Sequence, residues 1–341
     1  MARKPQNNSI YQIAREAGVS AATVSRAINN RVGVSEEVRA KVAALMAKYN
    51  FTPNYPSARR SRIAIMSVEE DQSGCLQRVL CGVLRYGRQH DLDVNLFFRY
   101  DDSGEKLVQR LRDQQCSGII AWPGEEFCHL EKELEKIGLP VVALDVTLEC
   151  EQLGYITSDS YAGACAVTRH LLELGHKKIG YLLHHGVQVR DHQQRFQGYL
   201  DTMKEAGITP AENWIIHGVS TNNDFSRGAA GLATMRQLLV QAPELTAVEA
   251  VDDAMALGAI TAIHKSGRRI PDDLAITGFG NYSDTVNWFP SLTTVSQPIE
   301  ESGYRAAEAI DQILKNPGTG TLPRITLPTQ LIIRESTSKV K

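Results

Sequence analysis

Thr23, Ser25, Arg26 and Asn29 lie close together, and a helix over 21–28 sets them on one outward face with the small residues Ala21 and Ala22. Hydroxyls donate to phosphate oxygens, a guanidinium reaches a guanine edge or a phosphate, and small neighbours let a helix approach a groove closely. The inward positions Val24, Ala27 and Ile28 are apolar. The chemistry implied is recognition of a polyanion, and the charge distribution agrees. Residues 1–62 carry 11 Lys/Arg against 3 Asp/Glu, a net of +8, while residues 63–341 carry 26 against 36, a net of −10. The total of −2 therefore conceals a basic head on an acidic body. Such a head condenses onto a polyanion with release of counterions. Charge alone does not separate a nucleic acid from an anionic membrane.

The elements around these residues do separate them. Ile10, Ile13, Ala14 and Ala17 fall on one face of a short helix that begins after Ser9. Gly18 suits a left-handed helix end, Val19 fills the gap between helices, and Ser20 caps the next helix. A third helix follows Val34-Ser35, with Glu36 and Glu37 in its first turn and Val38, Val42, Leu45 and Met46 turned inward. Two short helices joined by a Gly turn and sealed by a third form a helix-turn-helix head.

Other chemistry finds little support. No Gly-x-Gly-x-x-Gly, Walker A run or serine elbow follows an apolar strand, and no His or Cys spacing suits a metal. His184 and His185 are adjacent, so in a strand they point apart. The six cysteines stand singly, as buried free thiols do in a reducing compartment. No apolar run approaches the roughly 18 residues of a membrane span, and no apolar stretch follows the charged N-terminus, so neither a span nor a secretory signal is expected. No cofactor or metal is expected.

From Ile63 onward, short apolar strands alternate with amphipathic helices, as in 62–67 and 75–90, or 179–183 and 192–206. That rhythm predicts an α/β body of parallel sheets covered on both faces, and its length suffices for two doubly wound lobes. Open α/β sheets bind ligands at the C-terminal ends of their strands. The expected division is a head over 1–53, a hinge or linker over 54–62, and a two-lobed body over 63–335. Lobe 1 is expected over about 63–157 and 284–316, and lobe 2 over about 158–283 and 317–335, closed by a late strand from Thr326 to Ile333.

The run Gly18-Val19-Ser20-x-x-Thr23-Val24-Ser25-Arg26-x-x-Asn29, with Val34-Ser35 and Tyr49-Asn-Phe-Thr-Pro-Asn54, resembles the DNA-binding head of the lac-repressor (LacI/GalR) family. The resemblance implies that Ser20, Ala21, Ala22, Thr23 and Ser25 face the operator, with Arg26 as the main polar base reader and Asn29 and Arg31 on phosphates. Ala21 and Ala22 can contact only thymine methyls. The family's hinge places a short helix with a leucine wedge in the minor groove. Here Asn54, Ser57, Ala58, Arg59 and Arg60 occupy that stretch, the linker is a few residues short, and Ser61 stands where a leucine is expected. A helix over 55–61 that grips the groove through its arginines is one reading, and a solvated linker the other.

The resemblance continues from about 63 to 335, on Asp159-x-x-x-Gly163, Leu172-x-x-Leu-Gly-His176, Arg195-x-x-Gly198-Tyr199, Asp252-Asp253-x-Met255-Ala-x-Gly258, Ile270-Pro-Asp-Asp-Leu274 and Leu292-Thr-Thr-Val-x-Gln297-Pro. It implies a periplasmic-binding-protein-like effector body in which Arg195 clamps the ligand and Asp252 faces it. Asp252 also suits a cap on the following helix, and Arg195 a surface ion pair. The family usually places an Asp after Gly278-Phe279; this chain has Gly280-Asn281, so either Asn281 substitutes or the ligand is less hydroxylated than a hexose. Asp159 is a further contact implied by the family. Trp288 offers an aromatic wall to a sugar or packs in the core. Glu69 and Asp71 accept sugar hydroxyls or stand in solvent.

The expected protein is a cytoplasmic, nucleoid-associated transcriptional repressor, not an enzyme. It would be a homodimer on a near-palindromic double-stranded operator, governed allosterically by a small effector, a sugar or sugar derivative, and without membrane contact. The alternatives are a sugar-binding protein without regulatory DNA binding and a cleft enzyme.

Overall fold

A computed structural model describes residues 10–28, 34–49, 61–67, 74–98, 104–122, 131–132, 134–135, 137–184, 190–218, 227–282, 285–316 and 321–340. The chain divides into two compact units, Met1–Arg60 and Ser61–Lys341.

In the first unit, α1 (Ile10–Ala17), α2 (Ala21–Ile28) and α3 (Glu36–Lys48) enclose a core of Ile13, Ala14, Ala17, Val24 and Val42, with Val38, Leu45 and Met46 packed on it. Gly18, at φ 72°, ends α1 in the left-handed conformation that a side chain would strain. The Val19 N–H then donates to the Ala14 carbonyl at 3.0 Å. Ser20 accepts from the Thr23 N–H at 3.1 Å and Ser35 from the Val38 N–H at 3.4 Å, so both following helices are capped as their sequences suggest. Arg39 of α3 donates to the Ala27 carbonyl at 3.3 Å, closing the C-terminal end of α2.

The second unit holds two six-stranded sheets. Lobe 1 contains β1 (Arg62–Ser67), β2 (Asp93–Phe98), β3 (Gly118–Trp122), β4 (Val141–Leu144), β5 (Gly154–Ser158) and β11 (Arg324–Leu327), in the order β11-β5-β4-β3-β1-β2. All of its pairings are parallel. Lobe 2 contains β6 (Ile179–Leu183), β7 (Ile215–His217), β8 (Ala247–Ala250), β9 (Ala275–Gly280), β10 (Thr293–Ser296) and β12 (Gln330–Ile332), in the order β12-β10-β9-β8-β6-β7. Only β12 runs antiparallel there.

Helices α4 (Cys75–His90), α5 (Gly104–Asp113) and α10 (Ile299–Lys315) cover lobe 1. Helices α6 (Ser160–Glu173), α7 (Arg190–Glu205), α8 (Arg227–Gln241) and α9 (Asp253–Lys265) cover lobe 2. Gly82 and Gly303 let α4 and α10 touch backbone to backbone, where a Cβ would meet main-chain atoms.

The chain crosses between lobes at Asp159, at Gln297-Pro298 and at Pro328-Thr329. This corrects the expected division. The stretch 284–296 does not join lobe 1: β10 lies beside β9 in lobe 2, with Thr293 opposite Thr277. Nor does 317–327 join lobe 2, because β11 extends the lobe 1 sheet with Ile325 opposite Ile156. The late strand expected over 326–333 is two strands in different sheets. Pro328, which has no N–H to give a ladder, breaks it.

Candidate DNA-reading helix and interlobe cleft

α2 is held by its buried Val24, which leaves the opposite face clear of the head's core. Arg26 is exposed in the last turn, while Ala21 and Thr23 are half-buried. The Ser20 and Thr23 hydroxyls lie 2.9 Å apart at the start of the helix. Ala22 and Ser25 belong to the same helix, their side chains lying outside the described residues. Asn29, Arg31, Asn54, Ser57, Ala58, Arg59 and Arg60 also lie outside the described residues, as does the whole hinge segment expected over 55–61.

In the body, Arg195 sits one turn into α7 and is 5 % exposed. Its Nη1 donates to the Val251 carbonyl at 2.8 Å, and its Nη2 meets Asp191 and, at 3.4 Å, the Gln297 side-chain oxygen. The guanidinium lies over the Phe279 ring, 3.9 Å from its centroid. Attachments to its own helix, to the residue after β8, to β9 and to a crossover fix its orientation. A group held this way binds a partner without losing rotamer freedom at that moment. Burial alone would lower its pKa, but Asp191, Asp145 and Asp252 hold it raised. The reading of Arg195 as a surface ion pair is therefore set aside by its burial.

Asp252 follows β8 and caps α9, accepting from the Met255 N–H at 2.8 Å, and its other oxygen meets Arg227 at 3.0 Å. Burial pushes its carboxyl up, yet Arg227 and His192 pull it below the usual range. His192 is itself held well below its usual value, first by burial and then by Arg195 and Arg227. Asp253 accepts from Thr294 Oγ1 at 2.6 Å and from the Tyr282 N–H at 2.8 Å, pinning β10 and the segment after β9 to α9.

The remaining expected contacts do not all converge. Asn281, at the end of β9 with φ 51°, accepts from Arg334 at 2.7 Å and donates to Ser296 at 3.3 Å, so its amide is occupied within lobe 2. Asp159 caps α6 through the Ala162 N–H at 2.9 Å, at the first crossing. Trp288 is half-buried against the lobe 2 core, the second of its two readings. Glu69 and Asp71 lie outside the described residues.

The geometry adds residues that the spacing did not single out. Asp145 directly follows β4 with φ 58° and accepts from Gln297 Nε2 at 3.4 and 3.5 Å, a link between the lobe 1 sheet and the second crossing. Arg78 of α4 donates to the Gly280 and Gln297 carbonyls, both at 2.9 Å, joining lobe 1 to the ends of β9 and β10. Gln297 thus touches Asp145, Arg78 and Arg195. The strand ends predicted for ligand binding are where this network lies.

A helix-turn-helix head joined to a two-lobed α/β body with a polar network at facing strand ends defines a ligand-responsive DNA-binding regulator. Residues 9–54 match the family described as bacterial regulatory proteins, lacI family, and residues 168–337 match the periplasmic binding protein-like domain. The ribose operon repressor of Haemophilus influenzae is 31% identical, over 98% of this chain and 99% of the relative. The HTH-type transcriptional regulator DegA of Bacillus subtilis is also 31% identical, over 97% and 98%. The transcriptional regulator CelR, solved as its cellobiose complex, superposes with a TM-score of 0.71 at 29% identity, covering 97% of this chain and 100% of that structure. The chain belongs to the LacI family of bacterial transcriptional regulators. Among the described residues, no helix is long and apolar enough to cross a membrane.

Proposed function

We propose that the protein is a cytoplasmic, nucleoid-associated homodimeric repressor that binds a near-palindromic operator through α2 and releases or grips it according to a saccharide bound between the lobes. The observation that carries the proposal is the joint presence of an exposed Arg26 on a rigidly based helix and a buried Arg195 tied to the crossover between lobes. The relatives are consistent with it, one named for the ribose operon and one solved with cellobiose. Ser20, Ala21, Ala22, Thr23, Ser25 and Arg26 face the DNA in this reading, with Asn29, Arg31 and the arginines of the hinge on the backbone or minor groove. A single head spans one half-site, so two-fold symmetry doubles the contacts. Arg195 and Asp252 form the lobe 2 side of the effector site.

The test begins with an operator selected from random duplexes by the full-length protein. Arg26→Ala should weaken specific binding by about 1–3 kcal/mol per half-site, a loss taken twice in a dimer, while non-specific binding persists. An undiminished footprint would remove Arg26 as the reader. Sedimentation of the operator complex as a monomer at micromolar protein would remove the dimer.

A further inference from the structure

One face of the lobe 2 sheet carries a polar row. Tyr181 of β6 lies opposite Glu249 of β8, Glu249 opposite Thr277 of β9, and Thr277 opposite Thr293 of β10. Residues directly opposite each other on neighbouring strands point to the same face of a sheet. Here it is the face that α6 covers, because Thr168 of α6 reaches Glu249. All four side chains are buried, Glu249 at 2 % exposure and Thr277 at 0 %.

The row has partners on either side of its middle. Glu249 Oε2 accepts from the Thr168 hydroxyl at 3.2 Å. Thr293 Oγ1 lies 2.9 Å from Thr337 Oγ1, which lies 3.1 Å from His170 Nε2. Between these two groups, Glu249 Oε1 and Thr277 Oγ1 are buried and have no partner among the described residues. Two such atoms on facing residues call for one explanation rather than two. Neighbouring strands are about 4.8 Å apart, within the reach of a single molecule hydrogen-bonded to both atoms at roughly 2.8 Å each.

We propose that an internal site between Glu249 Oε1 and Thr277 Oγ1 holds one water molecule, which bridges β8 to β9 inside lobe 2. Buried waters occupy the places where otherwise unsatisfied polar groups converge. The competing occupant is a metal cation, and the donor set opposes it. A hard cation takes about six oxygens. The row offers Glu249, Thr277 and a Thr168 hydroxyl that already stands 3.0 Å from the Ala164 carbonyl. Nor is there a charge to neutralise. Burial pushes the Glu249 carboxyl up to about 8 against the pull of the Thr168 hydroxyl, so it is protonated at neutral pH. A carboxylic acid, a hydroxyl and a water each both donate and accept, so the three satisfy one another. Thr277 stands two residues before Phe279, the ring against Arg195, and Glu249 three before Asp252. The bridge therefore joins, inside the sheet, the two strands that carry those groups at their ends.

The experiment is a high-resolution crystal structure of the full-length protein at pH 7, from crystals soaked in rubidium chloride. One density peak should lie within roughly 2.6–3.2 Å of both atoms and carry no rubidium anomalous signal. Thr277→Ser should keep the peak, and Thr277→Val, of the same shape without the hydroxyl, should lose it. A direct Glu249–Thr277 hydrogen bond, a rubidium signal at the site or no peak there would each overturn the inference. So would a peak that persists in Thr277→Val. Should that variant not fold, the density of the natural chain decides alone.

Discussion

The two lobes share one architecture and differ in what they bury. Lobe 1 closes on aliphatic residues of both sheet faces, such as Ile63, Ile65, Val142 and Ile156 on one side and Leu107, Leu111 and Ile119 on the other. Its buried charge among the described residues is Asp311, bonded to Tyr86 at 2.8 Å and Lys315 at 2.7 Å. Lobe 2 buries His170, His176, His192, Arg195, Glu249, Asp252 and Asp253. Burying an ionisable group is unfavourable unless it is paired or neutral, so a lobe with this many must derive something from their fixed positions. At the strand ends, on the proposed reading, that return is a recognition surface whose groups are oriented before a ligand arrives. Lobe 1 supplies a scaffold for it, with Asp145 and Arg78 at the margin.

Glu249 stands apart, inside lobe 2 rather than at its edge. It lies on β8 opposite Tyr181 of β6 and Thr277 of β9, and accepts from the Thr168 hydroxyl at 3.2 Å. Its other oxygen and the Thr277 hydroxyl have no partner among the described residues. Burial pushes its carboxyl up to about 8. It therefore remains protonated at neutral pH.

The contrast between lobes can be broken most strongly at Arg195. Arg195→Met leaves Asp191 buried and unpaired and should lower unfolding free energy by about 3–5 kcal/mol in urea titrations. Adding Asp191→Leu should return most of the loss, because an apolar replacement of both partners removes the uncompensated charge. A single substitution that costs no more than a surface change would erase the distinction between the lobes.

A pH series sharpens it next. The folded protein holds a proton on Glu249 that the unfolded chain has released above the ordinary value of 4.5, so this stabilising contribution is fully present below that value and is lost as pH rises through about 8. Between pH 6 and 9 the loss should be about 2–3 kcal/mol for the natural protein. Glu249→Gln should flatten that part of the profile. An equally steep decline in the variant would move the titration to another group.

The lobe 1 counterpart is milder. Tyr86→Phe removes one donor from Asp311, which keeps Lys315, and should cost about 1 kcal/mol. The smallest effect is expected from Arg85→Ala on the outer face of α4. Its ion pair with Glu300, at 2.6 Å, is about half exposed on both sides and should contribute less than about 1 kcal/mol. A larger loss at Arg85 than at Tyr86 would contradict the reading that burial sets these energies.

Much of the candidate site was legible in the chain, though unevenly. Gly18, Ser20, Val24 and Ser35 announced the head, because caps and a helical period are decided within a few residues. Arg195 and Asp252 were legible only through the family's motifs. Their burial and partners were not, and Asp252 proved to cap α9 while also pairing with Arg227. Asn281 stood at the expected place, but the Arg334 that occupies it comes 53 residues later.

The sequence by itself determined the charge sorting, the three-helix head and the alternation of strands and helices, since hydrophobic period and capping act over one or two turns. Tertiary structure decided which sheet received β10 and β11, and it assembled Asp145, Arg78, Arg195 and Gln297 into one network. Gln297 meets residues 102 and 152 positions earlier in the chain. No local pattern carries such a pairing. It exists because three crossings bring the C-terminal strand ends of two sheets face to face, where polar groups excluded from water must find one another.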